Sequence, residues 1–444
     1  MNTKKCSETG TYEDKWEKIN QIGIRCLICG IVILLVLIII RLTAERVQAE
    51  NEKCTVAYLT VSDREDSVWG MPACFHKGSY NTVYEYVDTL GRVENRTLTM
   101  SKNTDGVYEM RDPMDAEHGA GTQQGTAEET GFRVMQLTDI HITGEESTFD
   151  TDLLSLQASY EMIERLQPDF IVVTGDVIYL TGARTLQDGL RALDVFTSFM
   201  DRVDIPWTWT FGNHDHEFFD QFTRQEVAQM LAQCRTLCIY PSQKGVSGYS
   251  NGVYLLCHPD DSLNMALITL DSNDQMIDSQ TGQTCYDYVH EDEVQWYVTQ
   301  INKLRDKYGA DAKSMLYIHM PLQEYESAWK EANDPLAGQS EAGDQGTHAT
   351  VLFGEAREPV CCSKHGSELF AQAEKLGSTV GINCGHDHLN DFCVVYHGIN
   401  LLYGKSIDYI AYSGIKDKKE QRGAVLIVVK DHGKCEISSV RLEQ

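Results

Sequence analysis

Five short runs in this sequence carry side chains that bind hard cations: Thr138-Asp139-Ile140-His141, Thr174-Gly175-Asp176, Gly212-Asn213-His214-Asp215, Ile318-His319 and Gly385-His386-Asp387-His388. With His214 set aside, they offer the carboxylates Asp139 and Asp176, the amide of Asn213, and the imidazoles His141, His319, His386 and His388. Mixed oxygen and nitrogen donors suit a pair of borderline divalent metals better than a magnesium site or a thiolate zinc site. If Asp176 bridges, the donors divide evenly. Asp139, His141, Asp176 and His388 would hold one ion, and Asp176, Asn213, His319 and His386 the other. Two ions about 3.5–4 Å apart can clamp a phosphoryl group and lower the pKa of a shared water from ~15.7 toward ~7. The expected chemistry is attack of a metal-bridging hydroxide on a phosphate ester. His214 and Asp215 are the expected catalytic pair: His214 stabilises charge or protonates the leaving oxygen, and Asp215 orients its ring.

Such residues, spread through the chain, converge only if rigid elements deliver them. Apolar runs precede each one: Phe132 to Leu137, Asp169 to Val173, Trp207 to Phe211 and Met315 to Ile318 read as strands, as does Met265 to Leu270, and Val380 to Cys384 leads into the last motif. Between them, Leu153, Leu156, Tyr160, Ile163 and Leu166, and later Val294, Tyr297, Ile301 and Leu304, repeat at helical spacing. The alternation predicts an α/β sandwich with its chemistry at the carboxyl ends of strands. A Gly-Asp pair alone is an ordinary turn, and a His at a strand end is usually a satisfied polar residue. Five such runs in order carry far more weight. Asp271, Asp274, His216, His258, His290, His365 and His397 are expected to be non-ligands, because the set is already full.

In that order, D-x-H, G-D, G-N-H-D, a lone H and G-H-D-H resemble the calcineurin-like metallophosphoesterase superfamily. Further runs, from Tyr240 to Asn251, His319-Met320-Pro321-Leu322, and Gly385 to Cys393, resemble its purple-acid-phosphatase-related branch. The resemblance implies a four-layer α/β/β/α sandwich over 131–444, two Fe, Mn or Zn ions, and hydrolysis of phosphomonoesters. Phosphodiesterase or nucleotidase activity on the same fold is the nearest alternative, and a non-catalytic surface-binding protein a more distant one. Purple acid phosphatases proper place a metal-binding tyrosine three residues after the bridging Asp, where Tyr179 stands here. His141 and Tyr179 therefore compete for one position, and His141 is the expected ligand.

The remaining sequence bounds location and partners. Lys plus Arg number 38 against 66 Asp plus Glu, a net charge of −28, which disfavours nucleic acid as a stable partner. Cys26 to Ile40 is uncharged and lies between Arg25 and Arg41, with Lys4, Lys5, Lys15 and Lys18 before it. Residues 1–50 are thus expected to be a cytoplasmic leader with a single-pass membrane anchor, the catalytic part outside, or else a signal peptide cleaved near Ala49. Residues 51–114 read as a small β-rich module, with Thr82 to Val87 among its strands. Trp69, Tyr80, Tyr84 and Tyr86 could contact glycan or cell wall, although such aromatics are more often core. Asn95-Arg96-Thr97 is a glycosylation sequon. Residues 115–130, rich in Gly and poor in apolar side chains, read as a flexible linker. Cys54 with Cys74, Cys234 with Cys238, and Cys361 with Cys362 are candidate disulfides, while buried free thiols are the larger expectation. The acidic stretch Gln323 to His365 reads as a long loop acting as a substrate-selecting flap.

Overall fold

The computed structural model describes residue 41 and residues 78–94, 98–103, 107–111, 131–180, 185–217, 223–232, 234–240, 243–334 and 348–443. The chain divides into two compact units, Met1–Thr60 and Val61–Gln444, and apart from Arg41 every described residue lies in the second. Its elements begin with α1 (Asn81–Thr89), β1 (Thr99–Lys102), β2 (Tyr108–Arg111), β3 (Phe132–Leu137), α2 (Phe149–Leu166), β4 (Phe170–Val173), α3 (Leu186–Val203) and β5 (Trp207–Trp209). Then come α4 (Arg224–Leu231), β6 (Gly252–Cys257), β7 (Leu263–Thr269), β8 (Gln275–Ile277), β9 (Thr284–Tyr286), α5 (Glu291–Tyr308), β10 (Ser314–Tyr317) and α6 (Gln323–Ala332). The chain closes with β11 (Ala349–Phe353), α7 (Leu369–Leu376), β12 (Thr379–Cys384), β13 (Cys393–Tyr396), β14 (Ile399–Tyr403), β15 (Gly423–Lys430) and β16 (Lys434–Arg441).

Two large sheets form, one of nine strands ordered β1-β2-β6-β7-β10-β12-β14-β13-β11 and one of five ordered β16-β15-β3-β4-β5, with β8 and β9 as a separate hairpin. Side chains alternate across each strand, so one strand feeds two layers. In β6, Val253, Leu255 and Cys257 pack toward α5, α6 and α7 with Tyr297, Ile301, Tyr325 and Phe370. Tyr254 and Leu256 point the other way, into a core shared with Val134, Phe170, Val172, Val425 and Ile427 of the smaller sheet. On the far side, Phe196 of α3 meets Trp207 and Trp209 of β5 at 5.5 and 6.1 Å between ring centroids. The result is the expected four-layer α/β/β/α arrangement. Each sheet contains a run of parallel strands: β3, β4 and the edge strand β5 in one, and β7, β10, β12 and β14 in the other.

Several sequence expectations change. Thr82 to Val87 is helix, within α1, because its buried residues Val83, Tyr84 and Val87 follow a helical period. The aromatics there serve the core, since Tyr80 and Tyr84 are buried and bond Asp152 and Asp194, each at 2.7 Å. Neither can present a glycan-binding surface. Strands β1 and β2 are not a module of their own among the described residues: β2 pairs in parallel with β6 and extends the large sheet. The stretch 323–365 is not one long loop either. It opens with α6, whose Tyr325 and Ala328 are buried three residues apart, and later supplies β11. Cys234, Cys238, Cys361 and Cys362 are free thiols, and Cys234, Cys238, Cys257, Cys384 and Cys393 are buried, so those two candidate bridges are not formed. The apolar run 26–40, Ala49, Cys54, Trp69, Cys74, Asn95 and the linker 115–130 fall outside the described residues. Among the described residues, no helix is long and apolar enough to cross a membrane.

Candidate metal centre

Each predicted donor follows the carboxyl end of a parallel strand. Asp139 and His141 come after β3, Asp176 after β4, Asn213 after β5, His319 after β10, and His386 and His388 after β12. Asp139, His141, Asp176 and Asn213 thus belong to the smaller sheet, and His319, His386 and His388 to the larger. The donor atoms gather in two groups, Asp139 with His141, Asp176 and His388, and Asp176 with His319 and His386, each within 4.8 Å. Asn213 joins the second group, with its Oδ1 3.2 Å from His319 Nε2. Asp176 is common to both: its Oδ2 lies 3.1 Å from His319 Nε2 and 3.8 Å from His141 Nε2.

The backbone is bent hard to achieve this. Asp139, His141, Asp176 and His386 all adopt left-handed conformations, with φ of 52°, 57°, 50° and 77°. Non-glycine residues held there cost about 1–3 kcal/mol each and persist only where surroundings compel them. Asp215 supplies much of the compulsion. Its carboxylate accepts N–H bonds from Asp176, Val177, Ile178, Gly212 and the Trp209 indole at 2.8–3.2 Å. Asp139 in turn accepts from the His386 N–H at 3.1 Å and from the Thr138 hydroxyl at 2.7 Å. The loops touch so closely that a Cβ on Gly212 would overlap Asp176 Oδ1, and one on Gly385 would overlap Thr138 Oγ1. Those glycines are therefore obligatory parts of the G-N and G-H motifs.

This corrects the role expected of Asp215. Both its oxygens are taken up in holding the Asp176 and Gly212 loops, and the carboxylate facing the His214 ring is Glu217, with Oε1 3.0 Å from Nδ1. Burial disfavours the His214 imidazolium, but Asp176 and Glu217 outweigh it and raise the pKa to about 9. The ring remains 26% exposed, so it can meet a substrate. By contrast, burial holds His141 down to about 3 and, with His319 beside it, keeps His386 well below the usual imidazole value. Both are neutral, the form in which imidazole ligates metal.

Sequence reading missed Asp408. It lies beyond β14, accepts a 2.8 Å bond from His388 Nδ1, and stands 3.9 Å from His141 Nδ1. Burial opposes its charge, yet His141 and His388 hold its pKa below the carboxylate range. A carboxylate on the far nitrogen of a ligand histidine fixes which nitrogen is free to bind metal. The rule that located the other donors, a polar side chain just past a strand end, would have found it. Tyrosines surround the donors: Tyr286 is edge-on to His386 at 4.7 Å, Tyr412 stacks on His388 at 4.2 Å, and Tyr179 abuts His141 and His214 at 5.2 and 5.0 Å. Tyr179 thus contacts the ring that competes with it. Of the residues expected to be non-ligands, His290 forms a group with Asp292 and Glu293. Its Nε2 is bonded to Asp287 at 2.8 Å, and Asp292 accepts from Ser247, which makes the group a helix cap.

The donor set fits a pair of cations. Among the described residues, both His141 ring nitrogens and Asp176 Oδ2 are buried without a hydrogen-bond partner, a costly state unless something else satisfies them. The calcineurin-like phosphoesterase family matches residues 132–390, more than half of the chain. This chain belongs to the calcineurin-like phosphoesterases. The phosphoesterase is 26% identical over 324 residues, 67% of this chain and 76% of the relative, to "Probable inactive purple acid phosphatase 29" of Arabidopsis thaliana. It is 27% identical over 297 residues, 64% of this chain and 48% of the relative, to "Phosphatase DCR2" of Saccharomyces cerevisiae. A dimetal phosphatase from Danio rerio superposes with a TM-score of 0.45 and 12% identity, over 70% of this chain and 99% of its own. Asp408 lies beyond the span of the family match.

Proposed function

We propose that this phosphoesterase hydrolyses phosphomonoesters at a two-cation centre. The observation that carries the reading is Asp176, shared by two donor groups, with its buried Oδ2 3.1 Å from His319 Nε2 in one group and 3.8 Å from His141 Nε2 in the other. Asp139, His141, Asp176 and His388 would hold one cation, and Asp176, Asn213, His319 and His386 the other. When bound, such a pair activates water and neutralises charge on a phosphoryl group. The chain's own contribution is positional. Asp408 orients His388, Asp215 braces the loop that carries Asp176, and Glu217 holds His214 where its ring can give a proton to the leaving oxygen. The tyrosine rim of Tyr179, Tyr286 and Tyr412 limits water and shapes the entry. A relative bears the word inactive in its name, but here all seven expected donors face one another, which supports a working centre.

The test is metal analysis with paired assays on p-nitrophenyl phosphate and bis(p-nitrophenyl) phosphate. About two metals per chain and faster monoester turnover are expected. Faster diester turnover would favour the phosphodiesterase reading, and fewer than one tightly bound metal the non-catalytic one. We also propose that the enzyme works outside a membrane, anchored or exported through residues 26–40. That rests on the apolar run and the Lys and Arg residues before it. Protease treatment of intact cells should remove the catalytic part from an anchored form.

A further inference from the structure

The nine-stranded sheet runs past the helices that cover it. At that end Lys102 of β1, Val107, Tyr240, the residues 243–246, β6 and α5 enclose a groove of about 670 Å³. Its floor is apolar, with Val107, Val253 and Leu255, and Tyr240, Trp296 and Tyr308 add ring surface. Lys102, Lys244, Lys303 and Lys307 line it, against one carboxylate among the described residues, Asp292. Asp292 is already engaged, accepting from the Ser247 N–H and hydroxyl at 2.7 and 2.8 Å. Lys307 is partly balanced by Glu109 at 3.5 Å, and Lys102 lies over the rings of Tyr108 and Tyr240. Lys244 and Lys303 have no ion-pair or hydrogen-bond partner among the described residues.

In a chain of net charge −28, a groove lined by four lysines is a local reversal of sign. A pocket of a few hundred Å³ with an apolar floor and convergent charges is the ordinary form of a small-molecule site. Lysine ammonium groups are compact charges on flexible stems, suited to phosphate oxygens. The aromatic rings suit a flat partner. None of the seven metal-centre donors lines this groove. We propose that it is a second site, separate from the metal centre, for a nucleoside diphosphate: a flat base on the aromatic and apolar surface, with the diphosphate among the lysines.

The experiment is isothermal titration of the full chain with ADP, pyrophosphate and adenosine separately, in EDTA so that no cation at the metal centre recruits phosphate. ADP is expected to bind about tenfold or more tightly than either fragment. Lys244→Glu with Lys303→Glu, both exposed positions, should raise the ADP Kd about tenfold or more, with the circular dichroism spectrum and p-nitrophenyl phosphate turnover unchanged. Lys244→Arg with Lys303→Arg should retain binding. No saturable ADP binding up to about 1 mM, or equal ADP affinity in wild type and the Glu variant, overturns the proposal. Pyrophosphate matching ADP overturns the assignment of the ring.

Discussion

The donor residues differ in what their loss should do. Asp176 belongs to both donor groups, so Asp176→Asn removes a charge from each. Turnover is expected to fall by about three orders of magnitude or more, with metal lost from the protein. His214→Ala should lower turnover by about 10²–10⁴ while metal content stays constant, because His214 belongs to neither donor group and its Nδ1 faces Glu217. Equal metal loss in the two variants, read by elemental analysis, would show that His214 is misassigned. Asp408→Asn is a subtler change. The amide can still meet His388 Nδ1, but no longer as a charged acceptor, and outer partners of metal-ligating histidines are worth about 10–100-fold in affinity or activity. A metal titration of this variant that overlays the wild type would remove Asp408 from the site.

Among the elements, the helical layer over the smaller sheet holds an unusual pair. Tyr84 of α1 donates to Asp194 of α3, whose other oxygen, Oδ1, is buried without a hydrogen-bond partner among the described residues. Burial raises the Asp194 pKa to about 8, with the Tyr84 hydroxyl opposing. The folded chain therefore keeps a proton that the unfolded chain has lost above its ordinary carboxylate value of 3.8. Because the native state binds more protons at this group in this window, its contribution to stability falls as pH rises from about 4 to about 8. Asp194→Asn keeps the acceptor for Tyr84 and abolishes the titration. It should leave stability near pH 4 almost unchanged and raise it above pH 8, by roughly 1–3 kcal/mol. Urea midpoints that keep a constant offset across this range would refute the account. The same layer shows where composition misled: Val83, Tyr84 and Val87 sit on one helical face, while the β-rich composition of 82–87 suggested a strand.

For the whole molecule, the centre is a seam. Asp139, His141, Asp176 and Asn213 come from the five-stranded sheet and His319, His386 and His388 from the nine-stranded one, and each donor group draws on both. Cations bound there would link the sheets at their carboxyl ends, in addition to the apolar core between them. Metal at about a hundred times its Kd stabilises a fold by about 2.7 kcal/mol per site. Stripping with EDTA should therefore lower the thermal midpoint by several degrees, and zinc or manganese should restore it. A midpoint indifferent to EDTA, with metal shown to leave, would mean that the centre does not join the two sheets.

The order and spacing of the motifs were legible because hydrophobic periodicity marks strands locally and metal-donor chemistry is confined to few residue types. Asp139, His141, Asp176, Asn213, His319, His386 and His388 could thus be named as candidate donors, and divided into two groups, without coordinates. What periodicity cannot convey is which groups a folded chain turns toward one another. Asp215 reads as a partner for its neighbour His214, but the fold turns it toward the amides of residues 176–178. Glu217 meets His214 through the local turn that follows Asn213, whereas Asp408 acquires its role only when loops distant in sequence close over the ends of the strands. Side-chain direction depends on backbone angles such as the left-handed ones at Asp139 and Asp176, and those are imposed by contacts from elsewhere in the molecule rather than by adjacent residues.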